Sequence, residues 1–173
     1  FENKEFYLEA IELSHGVPTN GYAFVKKDKT RLDRKKIKKL KLPNSPLLGD
    51  LQRGKDIIFN GKKIKAKDIT YFEKGKKISF VFDTQFNENC INLAKDSDLV
   101  IAEATYMENS EKGKELAKLY QHLTASQAAG IAKSAKAKKL ILTHISQRYE
   151  INAKGFITEA KKKFKDTVVA EDL

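Results

Sequence analysis

The sequence predicts a protein of the α/β class, and two features of its second half lead to this prediction. From Lys77 onward, short apolar segments alternate with stretches of helical periodicity, an order that is typical of parallel βαβ units. The apolar segments ISFVF (78–82), LVIA (99–102) and LILT (140–143) are rich in β-branched residues. Because they are apolar almost throughout, they are typical of strands that are covered on both faces.

The first 26 residues predict a pair of antiparallel strands. Polar and apolar residues alternate in FYLEAIELS (6–14) and GYAFVK (21–26), as they do in half-buried strands. The loop HGVPTN between them places His15 at the turn.

Helices are predicted between the later strands. Thr124 followed by Gln127 has the pattern of a capping box, in which each side chain hydrogen-bonds the other residue's backbone. The predicted helices are 88–95, 111–120, 125–136 and 153–164, and a last strand, TVVA, covers 167–170.

The segment between these two parts is strongly basic. Residues 26–77 contain 19 Lys and Arg against 6 Asp and Glu, whereas the rest of the chain contains 15 against 17. A dense positive patch is typical of surfaces that bind nucleic acid phosphates, because each neutralised phosphate releases counterions. The alternative is a solvated basic surface that aids solubility.

This basic segment is expected to fold locally around few apolar residues. Leu32, Ile37 and Leu40 indicate a short helix ending before Pro43, and two short strands, 56–59 and 63–67, flank the turn Asn60-Gly61. The expected organisation is a core formed by residues 1–25 and 77–173, into which a flexible basic arm (26–76) is inserted.

Composition limits the class of protein. The chain has 173 residues, 40% of them hydrophobic, which suits one globular domain. No run of about 18 apolar residues is present, so no membrane span is expected. The single Cys90 cannot form an internal disulfide, which fits the reducing cytoplasm. The opening FENKEF has neither a methionine nor an apolar signal segment, so we expect a fragment of a longer protein.

Polar side chains follow each of the three apolar strands. Asp83, Glu103 and His144 come directly after them, and ligands bind at the carboxyl ends of strands in α/β sheets. His15 and His122 lie in turn or pre-helix segments, where a site is favoured over a core. Imidazole and carboxylate are ligands of catalytic zinc, and an aspartate can bridge two ions that activate one water. Glu103 and His122 would then orient each other, with His122 protonating the leaving oxygen.

Each residue alone also has a purely structural interpretation. An Asp after a strand is often part of an Asx turn or a helix cap, and a His beside Gly and Pro often only completes a turn. Arg148 either binds a phosphate or pairs with Glu150. The hypothesis of a site therefore depends on the convergence of several residues.

Several segments together resemble the RNase Z family, the transfer-RNA 3′-processing endonucleases of the metallo-β-lactamase superfamily. SHGVPTNGYAFV, SFVFDTQFN, IAEATY with HLTASQAAGIA, and LILTHISQRY are similar to successive motifs of that family, in the same order. The resemblance extends from about residue 8 to the end. It implies the second half of an αββα sandwich with a small basic exosite insertion.

The resemblance also implies roles for individual residues. His15 and His144 would each bind one of two zinc ions, Asp83 would bridge the ions, and Glu103 with His122 would form a charge-relay pair. The basic arm would clasp precursor tRNA for the partner subunit of a homodimer, and cleavage would leave a 3′-hydroxyl. The expected RNA-binding residues are Arg34, Lys35, Lys36, Lys38, Lys39 and Arg148.

One family motif does not occur in this chain. The His-x-His-x-Asp-His signature, which supplies most of the remaining metal ligands, is absent. We therefore expect the chain alone to retain metal poorly, to be inactive, and to expose apolar surfaces meant for a missing N-terminal half. The alternatives are a catalytically inactive tRNA-binding fragment and a superfamily hydrolase that acts on a non-RNA ester.

Overall fold

The computed structural model describes residues 1–149 and 153–171, which divide into two compact units. The first unit contains Phe1–Lys26 and Lys76–Leu173, and the second contains Lys27–Gly75. The described strands are β1 (Phe6–Leu13), β2 (Thr19–Lys26), β3 (Lys29–Leu32), β4 (Ile57–Phe59), β5 (Lys62–Ile64), β6 (Thr70–Glu73), β7 (Lys76–Val81), β8 (Leu99–Glu103), β9 (Leu140–Thr143) and β10 (Thr167–Val169). The described helices are α1 (Arg34–Lys39), α2 (Pro46–Gln52), α3 (Ala66–Ile69), α4 (Glu88–Ala94), α5 (Gly113–Tyr120), α6 (Ala125–Ser134) and α7 (Ala153–Lys161), with a 3₁₀ turn at Gln147–Tyr149.

The first unit is built on one six-stranded sheet with the order β1-β2-β7-β8-β9-β10. β1 and β2 pair antiparallel, as predicted, and β2 pairs antiparallel with β7. β7, β8, β9 and β10 are parallel, which confirms the predicted βαβ units. Two reversals of direction make β1 run the same way as β7. The carboxyl ends of β1, β7, β8 and β9 therefore lie at the same edge of the sheet.

Three helices pack on one face of this sheet and enclose the core. Ala23, Val81 and Leu142 point from the strands into this core, where they meet apolar residues of α4, α6 and α7. The largest fully buried side chain is Phe156 of α7. α6 begins with the predicted capping box, since Thr124 accepts from the Gln127 amide and the Gln127 side chain accepts from the Thr124 amide.

The opposite face of the sheet is apolar, and no described helix packs on it. The strand register aligns one row of apolar residues across all six strands. Two members of this row are exposed: 51% of the surface of Tyr22 and 38% of that of Val168. Within the described residues these strands are therefore covered on one face only, and the other face is an exposed apolar surface of the kind expected from the sequence. The row consists of Ala10, Tyr22, Phe80, Ile101, Ile141 and Val168.

The second unit contains two strand pairs and its own small core. β3 pairs with β6, and β4 pairs with β5 around the predicted Asn60-Gly61 turn, where both residues have positive φ. The predicted helix begins at Arg34 and does not include Leu32, which belongs to β3. The reason is that Asp33 caps α1 by accepting hydrogen bonds from the amides of Lys35 and Lys36. The sequence did not predict β3, β6, α2 or α3, and the predicted strand 63–67 ends at Ile64, because Ala66–Ile69 form α3. The buried core residues are Leu42, Leu51, Ile57, Ala66 and Ile69.

Asp98 links the amino-terminal end of β8 to neighbouring segments. Its carboxylate accepts hydrogen bonds from the ammonium groups of Lys138 at 2.6 Å and Lys76 at 3.1 Å, and from the Lys77 amide at 3.0 Å. Partial burial raises the pKa of Asp98, but these donors outweigh that effect and lower its pKa from 3.8 to about 2. The folded state therefore favours the ionised carboxylate.

No described helix is long enough and apolar enough to cross a lipid bilayer. The longest, α6, has ten residues.

The contribution of Asp98 to stability should depend on pH. Because the pKa of Asp98 is lower in the folded state than in the unfolded state, its ion pairs stabilise the fold fully above about pH 4, and this stabilisation is lost as the pH falls through about 2. We expect Asp98→Asn to lower the free energy of unfolding at pH 7, measured by urea titration. The difference from the parent should shrink as the pH is lowered from 4 towards 2, and a difference that stays constant would contradict this assignment.

The uncovered apolar face should make the isolated chain self-associate or bind hydrophobic probes. We expect Tyr22→Asp to reduce association, measured by light scattering coupled to gel filtration, without loss of secondary structure. Tyr71→Asp is the matched control, because Tyr71 is similarly exposed, at 55% against 51% for Tyr22, but lies in the second unit. A monomeric parent chain that binds no hydrophobic probe would contradict this prediction.

Candidate metal and phosphodiester site

Four of the predicted site residues lie where co-directional strands end. Glu103 is the last residue of β8, His144 follows β9 directly, and Asp83 and His15 each lie two residues beyond the ends of β7 and β1. Because these strands run in the same direction, their ends bring the four side chains to one edge of the sheet. His122 reaches this edge from the loop between α5 and α6.

Asp83, His122 and His144 form a group that could hold a metal ion. One ligand atom from each lies within 4.8 Å of the others. Nδ1 of His144 is 3.4 Å from Oδ1 of Asp83, and the rings of His122 and His144 are 5.3 Å apart between centroids. The side chains of His144 and Asp83 are 47% and 37% exposed, so an ion would be reachable from solvent.

His15 lies beside this group, next to the ring of His122. The two ring centroids are 4.8 Å apart, although His15 does not belong to the three-residue group. Nδ1 of His15 is 3.0 Å from the carbonyl oxygen of Gln121, so this nitrogen is the donor and Nε2 is left as the acceptor. Gln121 adopts a left-handed conformation with φ of 57°.

Glu103 is fully buried, and its carboxylate is surrounded by donors. Oε1 accepts from the Thr84 amide at 2.5 Å, and Oε2 accepts from the Thr105 hydroxyl at 2.6 Å and the Leu123 amide at 3.1 Å. Nδ1 of His122 lies 3.1 Å from Oε1 and 2.9 Å from Oε2. A buried charge needs this kind of compensation, because an unsatisfied carboxylate would be strongly destabilising.

The segment that carries His122 is held beside the end of β8. The Tyr106 amide donates to the Leu123 carbonyl at 3.3 Å, and the Ala125 amide donates to the Tyr106 carbonyl at 2.9 Å. The Thr124 capping box then starts α6. The orientation of His122 is therefore set by backbone contacts on both sides as well as by Glu103.

Arg148 lies at the rim of the site, above an aromatic ring. Its guanidinium is 5.3 Å from the centroid of the Tyr106 ring, which is in turn 6.3 Å from the His122 ring. Its Nε donates to the Ser146 hydroxyl at 3.3 Å. Burial raises the pKa of Tyr106 while Arg148 opposes this, so the phenol stays neutral at physiological pH. Glu150, the alternative partner of Arg148, lies outside the described residues.

The other predicted RNA-binding residues all lie in α1 of the second unit, where their side chains are exposed. This unit contains 16 Lys and Arg against 6 Asp and Glu. A surface groove of about 1140 Å³ adjoins α1 and is lined by Arg31, Arg34, Lys35, Lys38 and Tyr71, among others. Basic side chains beside an aromatic ring are typical of surfaces that bind nucleic acid.

The chemistry of the donor set fits a divalent metal ion such as zinc. Zinc sites combine imidazole nitrogen with carboxylate oxygen and often have a carboxylate that accepts from the second nitrogen of a ligating imidazole. The group formed by Asp83, His122 and His144 supplies two imidazoles and one carboxylate, and the acceptor nitrogen of His15 is close by. Three ligands leave positions open for water or substrate.

The chain is similar in sequence to proteins named Ribonuclease Z. No protein-family model matches it. It is 40% identical over 172 residues to the Ribonuclease Z of Protochlamydia amoebophila, with 99% of this chain and 55% of that protein covered. It is 34% identical over 168 residues to that of Nanoarchaeum equitans, with 97% and 52% covered. The chain thus spans about half the length of the curated relatives that it matches.

Solved structures of the metallo-β-lactamase fold share its architecture. The metallo-β-lactamase fold protein YhfI from Bacillus subtilis superposes with a TM-score of 0.59 at 16% identity, covering 99% of this chain and 49% of that one. Human tRNase Z, short form, superposes with a TM-score of 0.56 at 22% identity, covering 99% and 43%. The predicted fold, half of a metallo-β-lactamase sandwich, is confirmed.

Sequence reasoning missed several groups that support the site. The Thr84 and Leu123 amides contact Glu103 through the backbone, and the Gln121 carbonyl contacts His15 in the same way. Backbone contacts leave no residue-type signal in a sequence. Thr105 was detectable, because a hydroxyl two residues beyond a candidate carboxylate, at the end of an apolar strand, is well placed to hydrogen-bond it.

Substitutions should separate metal ligands from the proton-transfer pair. In the full-length protein, we expect Asp83→Ala to lose most of the bound metal, because Asp83 supplies the only carboxylate of the three-residue group. His122→Ala should retain metal while cleavage falls by about 10²- to 10⁴-fold, the usual effect of removing a general acid. Metal content by mass spectrometry and cleavage rates would be measured together.

Asp166→Ala is the control for this experiment, since Asp166 is an exposed aspartate just before β10, at the opposite edge of the sheet. Loss of metal in His122→Ala would instead assign His122 to the ligands.

Proposed function

Because this chain belongs to the ribonuclease Z family in sequence and fold, we propose that it forms part of a zinc-dependent endoribonuclease that removes the 3′ trailer of precursor tRNA. The reaction is hydrolysis of one phosphodiester bond and leaves a 3′-hydroxyl on the tRNA. The protein would act in the cytoplasm, where the buried, unpaired Cys90 would stay reduced.

The observation that most supports this proposal is the pairing of His122 with a buried carboxylate beside two candidate metal ligands. Hydrolysis of a phosphodiester needs an activated water on one side of the phosphorus and protonation of the leaving oxygen on the other. Asp83 and His144 lie on one side of His122, and Glu103 lies behind it. One site therefore contains groups suited to both tasks.

Glu103 and His122 suit the proton-transfer role. Nδ1 of His122 donates to Glu103, so Nε2 is the nitrogen that can carry a proton to the substrate. We assign His122 as the general acid that protonates the 3′ oxygen of the tRNA as the trailer leaves. Glu103 orients and stabilises it.

Asp83, His144 and His15 would hold the metal ions. Two zinc ions, when bound, would supply an activated water and neutralise the phosphate charge. Asp83 has two carboxylate oxygens and so could contact both ions, while each histidine would contact one. Arg148 at the rim would bind a phosphate of the substrate through its guanidinium.

The second unit would provide affinity for tRNA without taking part in the chemistry. Its excess of ten positive charges, and the exposed basic row on α1, suit contacts with phosphates that do not depend on base sequence. We propose that this unit is the exosite arm and that the enzyme works as a homodimer in which the arm of one subunit holds tRNA for the other.

The site needs further ligands from outside this chain. Two zinc ions require more donors than the three or four side chains that meet here. This chain matches only about half of each relative. We propose that a counterpart of the other half supplies these donors and also covers the apolar face of the sheet. The isolated chain would then bind tRNA without cleaving it, which is the second candidate function.

Cleavage of a precursor tRNA with a 3′ trailer tests the main proposal. We expect the full-length protein with zinc to yield tRNA that ends in a 3′-hydroxyl, identified by ligation or mass spectrometry of the product. The 173-residue chain should bind the same RNA but leave it intact and hold little zinc. Failure of the full-length protein to cut precursor tRNA, with hydrolysis of a small ester instead, would contradict the proposal.

The lysines of α1 should affect binding but not chemistry. We expect replacement of Lys35, Lys38 and Lys39 by Gln to weaken tRNA binding and to lower the slope of log affinity against log salt by about one per lysine that contacts a phosphate. Cleavage of a minimal substrate lacking the tRNA body should be unchanged. Replacing the exposed Lys161, Lys162 and Lys163 removes the same charge from the first unit and should have a smaller effect. Equal effects would indicate a nonspecific response to net charge.

A further inference from the structure

We infer that Thr105 is a positioning residue that sets the orientation of His144 and couples it to the Glu103–His122 pair. Its hydroxyl oxygen lies 2.6 Å from Oε2 of Glu103 and 3.0 Å from Nδ1 of His144. It is therefore the one hydroxyl among the described contacts that joins a candidate metal ligand to the proton-transfer pair.

The directions of these two hydrogen bonds follow from the chemistry of the partners. An ionised carboxylate only accepts, so the Thr105 proton must point to Glu103. The hydroxyl oxygen can then only accept from His144, which requires the proton of the neutral ring to be on Nδ1. Nε2 of His144 is thereby left unprotonated, the state that a metal ligand needs.

The Thr105 hydroxyl is the shorter of two contacts to Nδ1 of His144, since Oδ1 of Asp83 faces the same nitrogen at 3.4 Å. The side chain of His144 is 47% exposed, and its backbone is in the left-handed region with φ of 54°. Thr105 is buried at 6% exposure and lies on the rigid continuation of β8, where the Ala104 amide donates to the Thr143 carbonyl at 2.9 Å. The hydroxyl of a buried residue therefore restrains an exposed ring.

Removal of the hydroxyl should leave Glu103 satisfied. Glu103 would still accept from the Thr84 and Leu123 amides and from His122. The loss would thus fall mainly on His144, whose Nδ1 would keep only the longer, 3.4 Å contact with Oδ1 of Asp83. This asymmetry distinguishes a positioning role from a general contribution to the core.

The inference rests on the proposed function in one respect, since it takes His144 as a metal ligand. Its test does not depend on cleavage. Nitrogen-15 spectra of the imidazole rings in the metal-free, full-length protein, recorded above the pH at which the ring is protonated, report which nitrogen of His144 carries the proton. Zinc affinity, measured by competition with a chelator, reports the consequence.

We expect Thr105→Val, which has the same shape without the hydroxyl, to shift the His144 proton towards Nε2 and to weaken zinc binding by about 10- to 100-fold. Thr105→Ser should restore the proton on Nδ1 and most of the affinity. Thr167→Val is the matched control. Thr167 is a buried threonine whose hydroxyl donates to the Phe164 carbonyl at the amino-terminal end of β10, so this variant should lose stability without changing His144.

Retention of the Nδ1 proton and of normal zinc affinity in Thr105→Val would overturn the inference, as would a Thr105→Ser variant as defective as Thr105→Val. If Thr105→Val and Thr105→Ser behave as expected but the parent protein does not cut precursor tRNA, the proposed function fails while the role of Thr105 stands.

Discussion

The burial of the Glu103 carboxylate is the constraint on which the rest of the site depends. A fully buried charge is tolerated only if donors surround it, and an unpaired one would cost several kcal/mol. The donors come from three separate segments: the loop after β7, the continuation of β8, and the segment before α6. Satisfying one carboxylate therefore fixes the relative positions of Thr84, Thr105 and His122.

Strand direction explains why these segments meet. β1 runs parallel to β7, β8 and β9 although it belongs to an antiparallel pair, because two reversals restore its direction. All four strands then end at the same edge, and each contributes a polar side chain there. Helices cover one face of the sheet, so the candidate metal ligands and the Glu103–His122 pair are placed by the packed core as well as by loops.

The two units differ in how their charged residues are arranged. The first unit contains carboxylates that accept hydrogen bonds from specific donors, such as Glu103 and Asp98. The second unit contains exposed lysines and arginines that act through their summed field. Under the proposed function, tRNA binding would depend on the second unit and cleavage on the first, so that the two could be altered independently.

The sequence by itself determined the α/β class, the antiparallel pair, the parallel strands, the capping box at Thr124 and the position of the basic segment. These follow from periodicity, strand propensity and local charge, which are properties of neighbouring residues. It also pointed to Asp83, Glu103 and His144, since each follows an apolar strand. Only the tertiary structure decided that Glu103 is fully buried, that Thr105 bridges it to His144, and that His122 lies within reach of the metal ligands as well as of Glu103. It also revealed the uncovered apolar face and the strand pair β3–β6. These features depend on contacts between residues far apart in the chain and on backbone donors that any residue type provides, so no local pattern encodes them.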